Sequence, residues 1–188
     1  MTRSVEVVAT FRRARKGGVV ASFGADEARI IRHVLSEMVE LLGPDDTLEE
    51  DPLAAAVGIG TATTTPDDPA LARLFPDGYT DDSEASADFR RYTEPGLRAA
   101  KREALQTALE TLGDGGEKVT LTPDQAEAWL RALNDTRLVL GERLGVTEAW
   151  DELVESLEEN DPRLGLFWVY DRLTYLQETL VQSLWAAP

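Results

Sequence analysis

Asp77, Asp81, Asp82 and Glu84 crowd into the stretch ARLFPDGYTDDSEASADFRRYTEPG at 72–96, with Tyr79 among them and the pair Arg90-Arg91 just beyond. Clustered carboxylates beside a Pro-Asp-Gly turn are raw material for a calcium loop. Such a loop needs acids at alternating positions, a central glycine and a closing bidentate glutamate. Asp77-Gly78-Tyr79-Thr80-Asp81 follows a different order. Local backbone rules account for more of it. Pro76-Asp77-Gly78 reads as a tight turn. Thr80 or Asp81 can cap the next helix, and Asp82 and Glu84 suit its positive N-terminal end. No metal or cofactor is expected here, and the stretch reads as an architectural joint with a docking surface.

Other residues offer less chemistry. The chain has no Walker A loop, no Gly-x-Ser-x-Gly and no His-Glu-x-x-His. Gly58-Ile59-Gly60-Thr61 is too short for a dinucleotide fingerprint. The single histidine, His33, is one turn from Glu37 on the solvent side of a helix, which reads as a solvated pair. With no cysteine, the chain carries no disulfide, thiolate zinc site or thiol redox chemistry of its own. Asn134-Asp135-Thr136 matches a glycosylation sequon, but in mid-helix that is noise.

Arg137 is more informative. It falls on the apolar stripe Ala126, Trp129, Leu130, Leu133, Leu140 and Leu144. A guanidinium facing a core must be paired, because an unpaired buried charge is prohibitively unfavourable. Asp82, Asp88 and Asp135 are the candidate partners. Arg12, Arg13, Arg15 and Lys16 form a basic cluster at the tip of a hairpin, either a solvated turn or a contact for an acidic partner.

The elements that must position these groups follow from pattern. A chain of 188 residues, 43% hydrophobic, can build one domain, here 1–188, with a core and no staple. Residues 4–11 and 19–23 read as the two strands of a β-hairpin. A helix opens at Gly24-Ala25-Asp26-Glu27 and ends at Gly43-Pro44. Residues 44–69 read as a long surface connection. After a short helix ALARLF, Glu94-Pro95 looks like the start of a helix running to Gly113. KVTLT at 118–122 can add a third strand. Thr122-Pro123-Asp124-Gln125 is a capping box opening a helix to Leu144; TEAWDELVESLEE and 163–185 supply two more. The expected fold is a mainly helical α+β domain, with five or six helices and a small N-terminal hairpin. In the last helix Leu166, Val169, Leu173, Leu176 and Leu180 form a seam that either packs inside the fold or joins two copies.

Net charge is −16, with a local balance of +2 over residues 1–40 and −18 over the rest. That disfavours autonomous binding to nucleic acid. No apolar run is long enough to span a bilayer and no leader is visible, so a cytoplasmic protein is expected.

FRRARKGG, RLFPDGYTDDSEASADFRRYTE and WLRALNDTRLVLGERLGV together resemble an actinobacterial family long filed as a domain of unknown function, which includes an oxidative-stress regulator. The resemblance covers nearly the whole chain. It implies a non-enzymatic regulator working through a sigma factor and RNA polymerase, with partner contacts near Tyr79–Arg91. A redox-active cysteine pair belongs to that account and has no counterpart here. The other reading is a small-molecule- or metal-responsive module, an unfamiliar hydrolase included, using the Asp77–Glu84 acids and Arg137. Members of the family also tend to be encoded beside a protease adaptor, which raises a link to proteolysis.

Overall fold

The computed structural model describes residues 10–14, 18–43, 53, 58–115 and 118–185. Among them are three strands, β1 (Thr10–Arg13), β2 (Val19–Ser22) and β3 (Lys118–Leu121), and six helices. The helices are α1 (Ala25–Leu42), α2 (Pro69–Leu74), α3 (Ser83–Leu112), α4 (Pro123–Leu144), α5 (Trp150–Glu155) and α6 (Arg163–Trp185). The architecture is mainly helical α+β.

The strands form one antiparallel sheet in the order β1-β2-β3, with Phe11 opposite Ala21 and Ala21 opposite Val119. KVTL thus joins the hairpin. β1 runs through Arg13, so Arg12 and Arg13 are exposed strand residues opposite Val20 and Val19 rather than turn residues. Arg15, Lys16 and the expected strand positions before Thr10 lie outside the described residues, as do 44–52 and 54–57 of the expected surface connection.

Period-two alternation turns Phe11, Val19, Ala21 and Leu121 to one face of the sheet, where the helices cover them. Phe23 stacks on Trp129 at 5.5 Å, and Phe11 meets Trp129 edge-on at 5.5 Å. Trp129 is fully buried, and its indole N–H donates to Thr111 Oγ1 at 2.8 Å, so no polar group is stranded in this aromatic layer. α1 contributes Ile31, Leu35, Met38 and Leu42 at helical spacing, while Ile30 stays at the surface. α3 packs along α4, α4 along α6, and α6 against β1.

Local signals set most boundaries. The Thr122 side chain accepts from the Gln125 N–H while the Gln125 side chain accepts from the Thr122 N–H, the full capping box. Gly145 ends α4 in the left-handed conformation. α5 is much shorter than TEAWDELVESLEE. No side chain caps it, and Glu155, Glu158 and Glu159 repel one another at three- and four-residue spacing.

The largest departure is α3, a 30-residue helix with Pro95 inside it rather than at its first turn. In a helix interior proline lacks the N–H that would bond the carbonyl four residues back. That carbonyl belongs to Arg91, and it accepts instead from the Gly60 N–H at 2.7 Å. A backbone donor from the 58–68 connection therefore repairs the gap. No described helix is long and apolar enough to cross a membrane.

Candidate functional site

Continuity of α3 through Pro95 puts Arg90, Glu94 and Arg98 four residues apart on one face, and all three are buried. Glu94 is shared. Its Oε2 accepts from Arg90 Nη1 at 2.6 Å and its Oε1 from Arg98 Nη2 at 2.7 Å. Arg90 Nη2 donates to the Phe75 carbonyl at 3.0 Å and to Asp77 Oδ1 at 2.8 Å. Thr65 Oγ1 lies 2.7 and 2.8 Å from the two Asp77 oxygens and supplies a hydroxyl donor to that carboxylate. The Arg98 guanidinium lies 4.5 Å above the Phe75 ring and donates to the Leu42 carbonyl; Arg102 donates to Gly43 O. α1 has no basic residue in its last turn, so α3 supplies the cations its C-terminal carbonyls favour.

The arrangement is a buried charge ladder that fastens the 58–82 connection and the end of α1 onto α3. Hydrogen bonds from Arg90 and then Thr65 hold the Asp77 carboxyl below the usual carboxylate range. Burial works against the charged form of Arg90, but hydrogen bonds to Asp77 and Glu94 outweigh it and raise its pKa. The Nε atoms of both Arg90 and Arg98 are buried without a partner among the described residues. Gly78 is needed for a close approach, since a Cβ there would sit 2.6 Å from Phe89 Cδ1.

The other sequence candidates separate. Asp82, not Thr80 or Asp81, caps α3 by accepting from Ala85 N–H at 2.9 Å. Asp81 is exposed and Arg91 half-buried. Tyr79 is exposed and meets Phe89 edge-on at 6.1 Å. Arg137 does not reach the 77–91 stretch, and none of Asp82, Asp88 or Asp135 is its partner. It is half-buried, donates to Thr174 Oγ1 at 2.8 Å and Gln177 Oε1 at 2.7 Å, and lies over the Tyr170 ring. Neutral acceptors suffice there because water still reaches the group. Asp135 is buried and takes both its bonds from Lys101 Nζ at 3.0 Å. Asn134 is exposed beside it. Among the described residues, the buried, carboxylate-paired arginines are Arg90 and Arg98. Their four-residue spacing with Glu94 was the available signal, hidden by reading Glu94-Pro95 as a helix start.

The family model described as Domain of unknown function (DUF2017) matches residues 8–184. The chain belongs to the DUF2017 family. It is similar to the oxidative stress regulator AosR of Mycobacterium tuberculosis (strain ATCC 25618 / H37Rv), at 37% identity over 176 residues, covering 86% of this chain and 79% of the relative. The Mycobacterium bovis protein of that name matches equally, and a Mycobacterium leprae relative is 34% identical, covering 85% of this chain and 79% of its own. No solved structure matches.

In this DUF2017 chain two of the acids that first suggested a metal or catalytic loop have structural employment. Asp77 is held by Arg90 and Thr65, and Asp82 caps a helix. Among the described residues, no three His, Asp or Glu side chains converge as metal ligands. What the stretch leaves at the surface is aromatic: Tyr79, Phe89 and Tyr92 are 53%, 43% and 63% exposed, next to the exposed acids Asp81 and Asp88.

Proposed function

We propose that this protein is a cytoplasmic, non-enzymatic regulator of the oxidative-stress response that acts by docking on a sigma factor or RNA polymerase. The observation that carries the reading is the likeness to AosR along 86% of the chain. Composition is consistent with it. A net charge of −16 favours a cationic protein surface as partner and repels phosphate backbones. The exposed aromatics Tyr79, Phe89 and Tyr92 give the 79–91 region the residue types that anchor interfaces, and the charge ladder beneath keeps them on a rigid base. This chain has no cysteine, so its regulation does not run through a thiol of its own.

The test is retention of purified host sigma factors and RNA polymerase on the immobilised full chain. Retention of at least one of them is expected, weakened by Tyr79→Ala with Phe89→Ala. Failure to retain any sigma factor or polymerase subunit would sink the reading. A thermal-shift screen over divalent metals and metabolites addresses the small-molecule alternative; a dose-dependent shift would favour it.

A further inference from the structure

A second face of the molecule has a shape and charge of its own. α3 and α4 run antiparallel along a shared seam, with Lys101 meeting Asp135 at one end and Thr111 meeting Trp129 toward the other. Near Leu97 the seam opens into a cavity of about 580 Å³, walled by Leu97, Leu130, Val181 and Trp185 with Asn134 and Asp135 at its edge. Leu97 is 45% and Trp185 74% exposed, so two large apolar side chains stand at its mouth. Ala100 and Arg131 also border a second cavity of about 470 Å³ further along the seam, so the two adjoin. The character changes completely there: Glu103, Glu110, Asp124 and Glu127 line it, over a floor of Ala104 and Ala128.

Both cations of this groove are engaged within it, Lys101 by Asp135 and Arg131 by Glu127 at 3.5 Å. Glu103, Glu110 and Asp124 are exposed and in no ion pair among the described residues. From Leu97 to Glu110 the groove runs about 20 Å, at 1.5 Å per residue of helix. An elongated trough with an apolar end and a carboxylate end recognises a complementary segment in the helix-in-groove manner. A second copy of this chain is a poor fit, because each carries a net charge of −16.

We propose that the α3–α4 groove is the docking site for a basic amphipathic helix of a partner protein, its apolar anchors between Leu97 and Trp185 and its Lys/Arg row against Glu103, Glu110 and Asp124. This rests on the reading of the protein as an interaction module, and it names a face and a partner chemistry which that reading leaves open. Burial of the apolar anchors provides affinity, and the unpaired carboxylates set orientation and on-rate.

The probe is a fluorescein-labelled synthetic helix of about 14 residues, with Leu and Trp one turn apart at one end and lysines along one face at the other. Its anisotropy is titrated with the full chain. Micromolar binding is expected, weaker by more than about tenfold for the Glu103→Lys, Glu110→Lys double variant, whose sites are exposed, and weakened as well by Trp185→Ala. Circular dichroism confirms that the variants fold. Equal binding by the double variant, or equal binding of a probe with glutamates for lysines or of one without Leu and Trp, would overturn the proposal. So would a dimer in sedimentation that the double variant breaks, since the groove would then belong to a second copy. The outcomes also separate the two readings. Sigma factor or polymerase retained equally by the double variant leaves the regulator reading standing and removes the groove; a groove that binds the probe while neither is retained does the reverse.

Discussion

Arg90 ties three parts of the molecule together, because its two terminal nitrogens reach Glu94, the Phe75 carbonyl and Asp77. Removing one member of a buried ion pair leaves the others uncompensated, at a cost of about 3–5 kcal/mol. Arg90→Leu should therefore lower the unfolding free energy by that amount in urea titration. Arg137→Leu should lower it by only about 1 kcal/mol, since a half-buried arginine with neutral acceptors loses ordinary hydrogen bonds. Similar losses for both would refute the ranking. Asp77 adds a pH dependence. Its folded-state pKa is depressed below the usual 3.8 by the Arg90 and Thr65 hydrogen bonds. Its contribution is complete above that usual value and disappears as pH falls through the lowered one. Wild type should exceed Asp77→Asn in stability at neutral pH, and the gap should close in acid unfolding curves. The sequence does display the Arg-x-x-x-Glu-x-x-x-Arg spacing of this ladder. It places the buried arginine on the wrong helix only because Arg137 lies on an obvious apolar stripe, whereas Arg90 shares its face of α3 with other charges.

At the scale of elements, short-range signals were readable and long-range repairs were not. The Thr122–Gln125 capping box, the stops at Gly43, Gly113 and Gly145, and the third strand KVTL follow from neighbours in sequence, and the structure reproduces them. Thr122→Ala should lower stability by about 1 kcal/mol, measurable by chemical denaturation. Pro95 misleads for an equally physical reason: the donor that compensates for its missing N–H is Gly60, far away in sequence. Pro95→Ala restores an intrahelical N–H that competes for the Arg91 carbonyl. Hydrogen exchange should then show the Gly60 amide losing protection by tenfold or more while amides in α4 are unchanged. Undiminished Gly60 protection would mean that the connection is held by Thr65, Asp77 and Arg90 alone. Gly78 tests the same joint from its other side. A Cβ 2.6 Å from the exposed Phe89 ring forces that ring to shift, so Gly78→Ala should lose at most about 1 kcal/mol, and Phe89→Leu should recover part of that loss in a double-mutant cycle.

For the molecule as a whole, the net charge of −16 and the buried ladder respond to salt to different extents. Lowering the Debye length from about 30 Å at 0.01 M to under 10 Å above 0.1 M screens repulsion between exposed carboxylates. The ladder is shielded from solvent and is screened much less. Surface pairs such as Arg73–Glu142 and Arg163–Asp161 do weaken, but each is worth at most about 1 kcal/mol. Self-repulsion therefore dominates, and the melting temperature should rise by a few degrees between about 10 and 300 mM NaCl. A fall would mean that surface pairs outweigh repulsion. Association with a cationic partner must respond with the other sign, because the carboxylates whose mutual repulsion salt relieves are those that attract the partner. Measured over one salt series, rising stability with falling partner affinity is the signature of an acidic surface used for recognition. Rising stability with unchanged affinity would assign the charge to solubility and leave recognition to the aromatics around Tyr79 and the apolar end of the α3–α4 groove.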